Sequence, residues 1–441
     1  MTHSTSNNGL VMMSESDMDT IKHDVIVIGA GIIGISIALK LQAEGRQVLV
    51  LDRKGVAAET SSGNAGVFAF ADVIPLATPG IMRKAPKWLI DPLGPLSIRP
   101  AYALKILPWM LRFWRASWKD KYQTALAAQA SLMDLSKAAL ERQIDAVNGE
   151  AMIRREGQLQ LYEGQAEFNE SLAGWQTRQA HGVVYEFLLT PEAIADIQPG
   201  IDPRFTHAAY TPEWKNVCDP AQWTQHLANE FEKRGGKIAI ASIHSIDLKD
   251  DSVNLKSDSA DYEANQVVLC AGAWSKTLAQ SIGDSLPLDT ERGYNTTLPA
   301  RAFDLKTHLT FSNHGFVVTK IGEGVRIGGA VELGGLTLKP HYQRADVLLN
   351  KAAEFLPGLN IEGGRQWMGF RPSMPDSLPV ISYASQSKRV VYAFGHGHLG
   401  LTQSAGTAEL VAELINEQPS SIPMNAYCAQ RFHTLHNKHS Q

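Results

Sequence analysis

The clearest pattern of apolar and polar positions lies near the start of the chain. An apolar run at 25–28 is followed by a glycine turn, a stretch with helical periodicity that ends at Gly45, and a second apolar run at 48–51. Short apolar runs without polar alternation are typical of strands that a parallel sheet buries on both faces. The pattern therefore predicts a strand, a tight turn, a helix and a second strand parallel to the first.

A later helix carries its own start and stop signals. Asp219 is placed to cap the helix N-terminus, Pro220 suits its first position, and Gly235 suits its end. Trp223, Leu227 and Phe231 are spaced to form its buried stripe.

Strand patterns follow this helix. Short apolar segments at 237–240 and 253–255 and an apolar run at 266–270 predict strands. Alternating runs in GFVVTKIGEGVRIGGAVEL, at 315–333, flank a Gly-Glu-Gly turn and predict a hairpin. The patterns together predict an α/β protein, α+β overall, with a second and mostly antiparallel sheet.

The segment from about Gly80 to Asp120 is rich in tryptophan, proline and cations. Its acids are Asp91 and Asp120, and its cations are Arg83, Lys84, Lys87, Arg99, Lys105, Arg112, Arg115 and Lys119. Pro108 is placed to open a helix whose apolar stripe is Leu107, Leu111, Trp114 and Trp118. Two interpretations stay open. The helix packs on the core with its cations solvated, or the segment faces a membrane or quinone, since cations interleaved with tryptophans suit an anionic interface.

Composition narrows the class of protein. The chain has 441 residues, 44% of them hydrophobic and 20% charged, with a net charge of −4 that gives no general attraction to nucleic acid. The widely spaced Cys218, Cys270 and Cys428 support neither a disulfide framework nor a metal site, which favours a reducing compartment. Residues 1–21 lack a signal-peptide pattern and are expected to be a disordered leader. No apolar stretch is long enough to span a membrane, so a cytoplasmic location is expected.

The turn after the first strand carries GxGxxG, the motif of dinucleotide-binding folds. Gly29 suits a tight turn, Gly31 a close approach of the backbone to a pyrophosphate, and Gly34 close helix–strand packing. The helix N-terminus attracts phosphates, and Asp52 at the end of the second strand can accept hydrogen bonds from a ribose. The motif predicts nucleotide binding without distinguishing NAD from FAD.

Five separated blocks between Asp24 and about Ile415 make the sequence resemble a known family. They are the dinucleotide motif, ETSSGNAGV at 59–67, CDPAQW at 218–223, VVLCAGAWS with ERGY at 267–275 and 291–294, and GFRPSMPDSLPVI with FGHGHLGLTQSAG at 369–381 and 394–406. The sequence resembles the D-amino-acid oxidase/glycine oxidase superfamily of FAD-dependent oxidoreductases, most of all its bacterial D-amino-acid dehydrogenase branch. The resemblance implies a Rossmann-like FAD-binding domain of the glutathione-reductase type and a second, mostly antiparallel substrate domain.

The resemblance also implies a set of cofactor contacts. The last block is expected to place a helix N-terminus, started by Thr402, at the flavin pyrimidine, where it would stabilise negative charge on the reduced ring. No cysteine lies near Phe370 and Arg371, where relatives with covalent flavin carry one, so FAD is expected to be non-covalent. The implied contacts are Gly29, Gly31, Ile33, Gly34, Asp52, Arg53, Thr60, Ser61, Ser62, Asn64, Ala65, Gly66, Ala271, Gly272, Trp274, Gly395, His396, Gly397, His398, Leu399, Gly400 and Thr402.

By the same resemblance, Arg371 binds the substrate carboxylate, and Tyr294 lies near flavin and substrate or in the core. A guanidinium can hold a carboxylate with two hydrogen bonds. The structural alternative for Arg371 is an ion pair with Asp376, and Tyr162, His314 and Trp367 are weaker candidates for the cavity.

The expected reaction is oxidation of a D-amino acid by hydride transfer from the α-carbon to flavin N5, which gives an imino acid that water hydrolyses to a 2-oxo acid and ammonia. Electrons then pass to a quinone or similar acceptor. Within the same chemistry, D-proline, hydroxyproline, glycine, sarcosine or an opine are alternative substrates. An electron-transfer subunit without amino-acid chemistry and a nicotinamide dehydrogenase are alternatives of other classes.

The blocks predict the following division of the chain. Residues 22–82, 215–292 and 366–415 form the FAD-binding domain. Residues 83–214 and 293–365 form the substrate domain, including the basic segment at 83–120, and residues 416–441 form a C-terminal tail.

Overall fold

The computed structural model describes residues 22–82 and 96–432. The predicted leader and the first cations of the basic segment, Arg83, Lys84 and Lys87, lie outside these residues. The strands, numbered in chain order, are β1 (Lys22–Ile28), β2 (Val48–Asp52), β3 (Val67–Phe68), β4 (Leu96–Ile98), β5 (Ile153–Arg154), β6 (Gln158–Glu163), β7 (Glu186–Leu188), β8 (Phe205–Thr211), β9 (Lys215–Val217), β10 (Lys237–Ile240), β11 (Ile243–Leu248), β12 (Val253–Ser257), β13 (Tyr262–Leu269), β14 (Asp289–Leu298), β15 (His308–Phe311), β16 (Phe316–Ile321), β17 (Gly324–Leu333), β18 (Arg365–Ser373), β19 (Val380–Tyr383) and β20 (Val390–Phe394).

The α-helices described over their full length are numbered in the same way. They are α1 (Ile32–Ala43), α2 (Ala103–Ala116), α3 (Lys119–Ala146), α4 (Gly164–Ala180), α5 (Pro191–Ile197), α6 (Pro220–Lys233), α7 (Ser275–Ser281), α8 (Gln343–Phe355) and α9 (Gly400–Ile415). None of the helices in the described ranges has both the length and the hydropathy to cross a bilayer.

The first sheet has a parallel centre. Its strands run in the order β10-β2-β1-β13-β12-β11, and β20 pairs with β13 and β19. β1 is parallel to β2 and β13, and β20 is parallel to β13. The apolar run of β1 is buried, as are most residues of α1 and α9, because these helices cover the sheet. The predicted Rossmann-like arrangement is confirmed.

The second sheet is mostly antiparallel, as predicted. Its strands run in the order β18-β14-β17-β16-β15-β6-β8-β7, with β4 paired to β17. The apolar residues of α8 pack with one face of this sheet into a separate core. A small third sheet, β3-β9-β5, lies apart from both.

Local signals in the sequence located several elements closely. Asp219 accepts hydrogen bonds from the N–H groups of Ala221 and Gln222, at 2.8 and 3.0 Å, so it caps α6 as predicted. β10 has the predicted bounds, and β16 and β17 form the predicted hairpin. The final helix starts two residues before Thr402, so the prediction that Thr402 starts it was wrong.

The helix in the basic segment differs from its prediction. α2 begins at Ala103 and contains Pro108 in its interior, so Pro108 does not open it. Its buried residues are Ile106, Trp109 and Ala116. The predicted stripe, Leu107, Leu111, Trp114 and Trp118, is exposed, so the prediction of which side is buried was wrong. The helix nevertheless packs on the core and leaves its cations exposed, as the first interpretation had it. Turning at 100° per residue, α2 buries the opposite side of the helix.

Two strands of the second sheet lie at the predicted boundaries between the cofactor part and the substrate part of the chain. β14 spans the predicted boundary at 292/293 and β18 begins at the boundary at 365/366, yet both strands belong to the second sheet. The division of the chain into a cofactor part and a substrate part stays a prediction.

Candidate active site

A cavity of about 780 Å³ lies between the two large sheets. Its wall is built from the carboxyl ends of β1, β2, β13 and β20 and from the facing side of β14, β17 and β18. Ligands of open α/β sheets bind at this edge, and cofactor cavities have volumes in this range. Most of the residues that the sequence nominates line this cavity.

The glycine turn brings α1 close to the cavity. Gly29 has a φ of +115°, and a Cβ built on it would lie 2.5 Å from the carbonyl oxygen of Cys270. A Cβ on Gly34 would lie 1.9 Å from the carbonyl oxygen of Gly29. These positions need glycine because the turn, α1 and β13 touch through their backbones. Gly31 and Ile33 at the helix N-terminus then line the cavity, where unpaired N–H groups suit an anion.

Asp52 lies where β2 ends and lines the cavity. Its Oδ2 accepts from the N–H of Ala30 at 2.8 Å, and its Oδ1 accepts from the N–H groups of Lys54 and Gly55 at 2.7 and 3.0 Å. These bonds fix the orientation of the carboxylate and leave lone pairs for a ribose hydroxyl. The neighbouring Arg53 forms an ion pair with Glu59.

Arg53 and Trp274 form one contact at the wall of the cavity. The Arg53 guanidinium lies 3.7 Å from the centre of the Trp274 ring and donates to Glu59 at 2.6 Å. Ala271 and Gly272, before Trp274, also line the cavity. The stacked pair provides a flat, rigid side of the site near the end of β13.

The loop at 59–66 is held by its own hydroxyl and amide side chains. Ser61 Oγ accepts from the N–H of Ile32 at 2.9 Å, and Thr60 Oγ1 donates to the carbonyl of Phe370 at 2.7 Å. The loop is thereby tied to both α1 and β18. The remaining bonds lie within it: Ser62 Oγ to Glu59 O, Asn64 Nδ2 to Ser61 O, and Gly66 N to Asn64 Oδ1. Ala65 lines the cavity between them.

Arg326 supports this loop from β17, although no sequence pattern indicates that role. Its Nη1 donates to the carbonyl of Asn64 at 2.5 Å, and its Nε donates to Thr297 Oγ1 at 2.8 Å. Burial lowers the pKa of its guanidinium from the ordinary value. An arginine on an alternating strand looks like a solvated residue in sequence, so only the packing of the loop against the sheet identifies it.

The turn between β20 and α9 packs against the end of β18. The N–H of Gly397 donates to the carbonyl of Pro372 at 2.7 Å. His396 is buried, its Nε2 lies 3.0 Å from Thr407 Oγ1, and burial lowers its pKa to about 3, so the ring is neutral at neutral pH. Thr402 Oγ1 accepts from the N–H of Ala69 at 3.0 Å. These two side chains are engaged in holding the turn.

His398, Leu399 and Gly400 follow in the cavity wall. The His398 side chain is exposed to the cavity, and burial within the protein still lowers its pKa. Gly395 and Gly397 have positive φ angles, of +86° and +56°. Gly397 and Gly400 bring backbone to the surface of the cavity, whereas Gly395 packs against Met374.

Glycine at position 400 indicates that a ligand packs against the first turn of α9. It lies in α9 without a positive φ, and a Cβ built on it would meet only the Cβ of His396, at 3.7 Å. Neither the backbone conformation nor the packing of the protein therefore requires glycine here. A flat ring held against the first turn of α9 would require it, and this fits the expected flavin.

Arg371 projects from β18 into the cavity wall. A Cβ built on Gly293 would lie 2.3 Å from its Nη2, so the guanidinium lies across the bare backbone of β14. Its Nη1 donates to the carbonyl of Ala330 at 3.0 Å. Burial lowers the pKa of this guanidinium, although it stays a cation.

Asp376 does not neutralise Arg371. Its carboxylate pairs with Arg431, whose Nε lies 2.7 Å from Asp376 Oδ2. Within residues 22–82 and 96–432, no carboxylate forms an ion pair with Arg371. The structural alternative is therefore wrong. Arg371 is a buried cation at the cavity that forms no direct ion pair, although the nearby Glu291 favours its charge.

The tyrosine candidates lie differently. The Tyr294 ring lines the cavity, but its hydroxyl donates to Glu332 Oε1 at 2.9 Å and accepts from the N–H of His341 at 3.0 Å. Tyr162 is buried away from the cavity and accepts from Trp175 Nε1 at 2.6 Å. The Tyr294 hydroxyl is thus committed to a buried network, and Tyr162 is a core residue.

The two remaining candidates also separate. Trp367 lies on the cavity side of β18, so close to Gly63 that a Cβ there would be 2.3 Å from the indole ring. His314 Nε2 pairs with Glu163 at 3.0 Å outside the cavity. Among the described residues, no group of His, Cys, Asp and Glu side chains is arranged to hold a metal ion.

The model of a protein family described as FAD dependent oxidoreductase matches residues 24–414. The chain belongs to this family. It is 35% identical over 420 residues to a D-amino-acid oxidase of Bradyrhizobium diazoefficiens, covering 92% of this chain and 98% of the relative. It is 31% identical over 400 residues to a D-amino acid dehydrogenase of Rhizobium johnstonii, covering 89% and 95%.

Solved structures share the fold. Glycine oxidase from Geobacillus kaustophilus matches with a TM-score of 0.75 at 19% identity, over 94% of this chain and all of that one. Iminodiacetate oxidase from Chelativorans matches with a TM-score of 0.70 at 19% identity, over 92% and 98%. The resemblance seen in the sequence is confirmed, and the protein is a flavin oxidoreductase that uses FAD rather than a nicotinamide.

Proposed function

We propose that this protein is an FAD-dependent D-amino-acid dehydrogenase that yields a 2-oxo acid and ammonia and passes electrons to a quinone. The Arg371 guanidinium in the cavity wall, which forms no ion pair with a carboxylate of the described residues, carries the proposal. A buried cation that makes no direct ion pair within the protein suits an anionic substrate, and the two-pronged guanidinium can hold a carboxylate in one orientation. The names of the relatives at 35% and 31% identity support D-amino acids as the substrate class.

FAD would be held by the glycine turn, Asp52, the loop at 59–66 and the turn before α9. When bound, it supplies a two-electron acceptor for the α-carbon hydride. The protein positions the substrate: Arg371 anchors the carboxylate, and the bare backbone at Gly293 makes space for the guanidinium itself. We assign the first sheet to the cofactor and the second sheet to the substrate side.

We further propose that FAD is non-covalent. Cys270 is the only cysteine among the residues that line the cavity, and its thiol is turned into the protein, donating to the carbonyl of Ile28 at 3.2 Å. Acid precipitation of the purified yellow protein should release the flavin into the supernatant. Flavin that stays in the pellet would refute this assignment.

The substrate proposal is tested by mixing the oxidised protein with substrates under anaerobic conditions and following loss of the flavin absorbance. D-amino acids should bleach it and their L-enantiomers should not. The panel includes D-proline, hydroxyproline, glycine, sarcosine and an opine. Bleaching by these alone would move the substrate class to secondary amines and glycine. Turnover with oxygen and with a short-chain quinone then compares the two acceptors, and faster turnover with oxygen would refute the dehydrogenase assignment.

Arg371 is tested by Arg371→Leu, with Arg371→Lys as the matched variant that keeps the charge. Losing one partner of a buried ion pair costs about 2–5 kcal/mol, so KM for a D-amino acid should rise by about 30-fold or more. Arg371→Lys should show a smaller rise because it lacks the two-pronged contact. FAD content should stay at the wild-type level. An unchanged KM in Arg371→Leu would overturn the substrate role.

A further inference from the structure

The outward side of α2 carries a continuous apolar surface. Leu104 is 87% exposed, Leu107 51%, Leu111 55% and Trp114 47%. Turning at 100° per residue, these four positions fall within an arc of about 80° on one side of the helix. Trp118 follows α2, is 47% exposed, and packs edge-on against Trp114 with ring centres 5.6 Å apart. We call these five residues the α2 surface.

The other side of α2 packs against the protein core. Ile106 and Trp109 are buried, and Met110 and Phe113 pack with them. Trp109 Nε1 also donates to the carbonyl of Ser373, at 3.3 Å, where β18 ends. α2 therefore has one apolar side for the protein core and a second that the core does not use. Solvent-exposed apolar side chains grouped in this way indicate a binding surface.

Cations border the α2 surface. Between 103 and 121 the charged residues are one acid, Asp120, and five exposed cations, Lys105, Arg112, Arg115, Lys119 and Lys121. Asp120 is taken by Arg115, whose Nη2 lies 2.8 Å from its Oδ2. The charge beside the apolar stripe is therefore strongly positive. A second copy of this chain placed on the same surface would bring like charges together, which disfavours a symmetric dimer.

We infer that the α2 surface docks on an anionic lipid bilayer, with its leucines and tryptophans in the interface and its cations at the headgroups. Apolar and aromatic residues on one side of a helix with cations beside them have this preference. Because Trp109 contacts the end of β18 two residues beyond Arg371, docking would leave only α2 between the bilayer and that end of β18. An acceptor dissolved in the membrane would then be close to the flavin. The inference itself does not depend on the proposed substrate.

The test is flotation of the full-length holoprotein with vesicles of phosphatidylcholine, with and without about a third phosphatidylglycerol. The wild type should float with the anionic vesicles, lose most binding in high salt, and bind the neutral vesicles weakly. Leu107→Ser with Leu111→Ser and Trp114→Ser should lower binding at least tenfold. Leu189→Ser is the control, because Leu189 is 55% exposed beyond β7, away from α2. Flavin content and turnover with a soluble dye should stay at wild-type values in all variants.

Charge is tested separately with Arg112→Glu and Lys119→Glu, which should weaken binding to anionic vesicles and leave neutral vesicles unaffected. Wild-type protein that stays unbound, or a triple variant that floats as the wild type does, would overturn the inference. A change in molar mass by light scattering in the triple variant, without lipid, would assign the surface to a protein contact instead and would also overturn it.

Discussion

Replacing Gly400 with alanine should separate the stability of the protein from its affinity for FAD. Gly400 is the first residue of α9, and its added Cβ would meet no protein atom closer than the Cβ of His396 at 3.7 Å. Alanine in place of a helical glycine stabilises a fold by about 0.4–1 kcal/mol where the backbone allows it. The FAD-free protein should therefore be slightly more stable than the wild type.

FAD affinity should change in the opposite direction. The new methyl group enters the cavity at the position proposed for the flavin ring. Overpacking of a close contact costs about 1–3 kcal/mol, which corresponds to a rise in Kd of about 5- to 150-fold. The physical reason is that the glycine is needed by the ligand and by no part of the chain.

The assay has two measurements on the same preparations. Thermal or urea unfolding of FAD-stripped protein gives the free energy of unfolding, and flavin fluorescence on titration gives Kd for FAD. Gly174→Ala in α4 is the matched control. Its Cβ would meet the end of the flexible Arg178 side chain at 3.3 Å and Cδ1 of Ile74 at 3.9 Å, so the gain in stability should appear without a change in Kd. A wild-type Kd in Gly400→Ala would refute the placement of the ring against α9.

Two further outcomes test the fold. Asp219→Ala should lower the free energy of unfolding by about 1 kcal/mol through loss of the α6 cap, with Asp219→Asn close to wild type in urea unfolding. Burial lowers the pKa of His308 to about 3, so the folded protein disfavours its protonation, and stability should fall by about 1.4 kcal/mol per pH unit below 6.5 on its account. His308→Leu should show a shallower loss between pH 6.5 and 5, and an identical slope would contradict this cause.

Much of the fold could be predicted from the sequence because the patterns that indicate its elements are local. The glycine turn, the cap at Asp219 and the alternation around the β16–β17 hairpin each depend on residues that are neighbours in sequence. The family resemblance then supplied the cofactor and the nomination of Arg371. The bounds of α9 were less accurate, because Thr402 has the side chain of a capping residue but bonds to Ala69 from a distant loop.

The tertiary structure decided which side of each helix is buried and which charged side chains pair with one another. Sequence spacing identified the stripe that includes Leu107 and Trp114, but helical periodicity cannot tell which of two apolar sides the core will cover. It also could not choose between Asp376 and a substrate as the partner of Arg371, because Arg431, far along the chain, takes that carboxylate. Arg326 shows the same limit, since its role comes from a loop 264 residues earlier in sequence. The sequence by itself determined the elements and the chemistry, whereas burial and pairing depend on contacts between distant segments and belong to the folded chain.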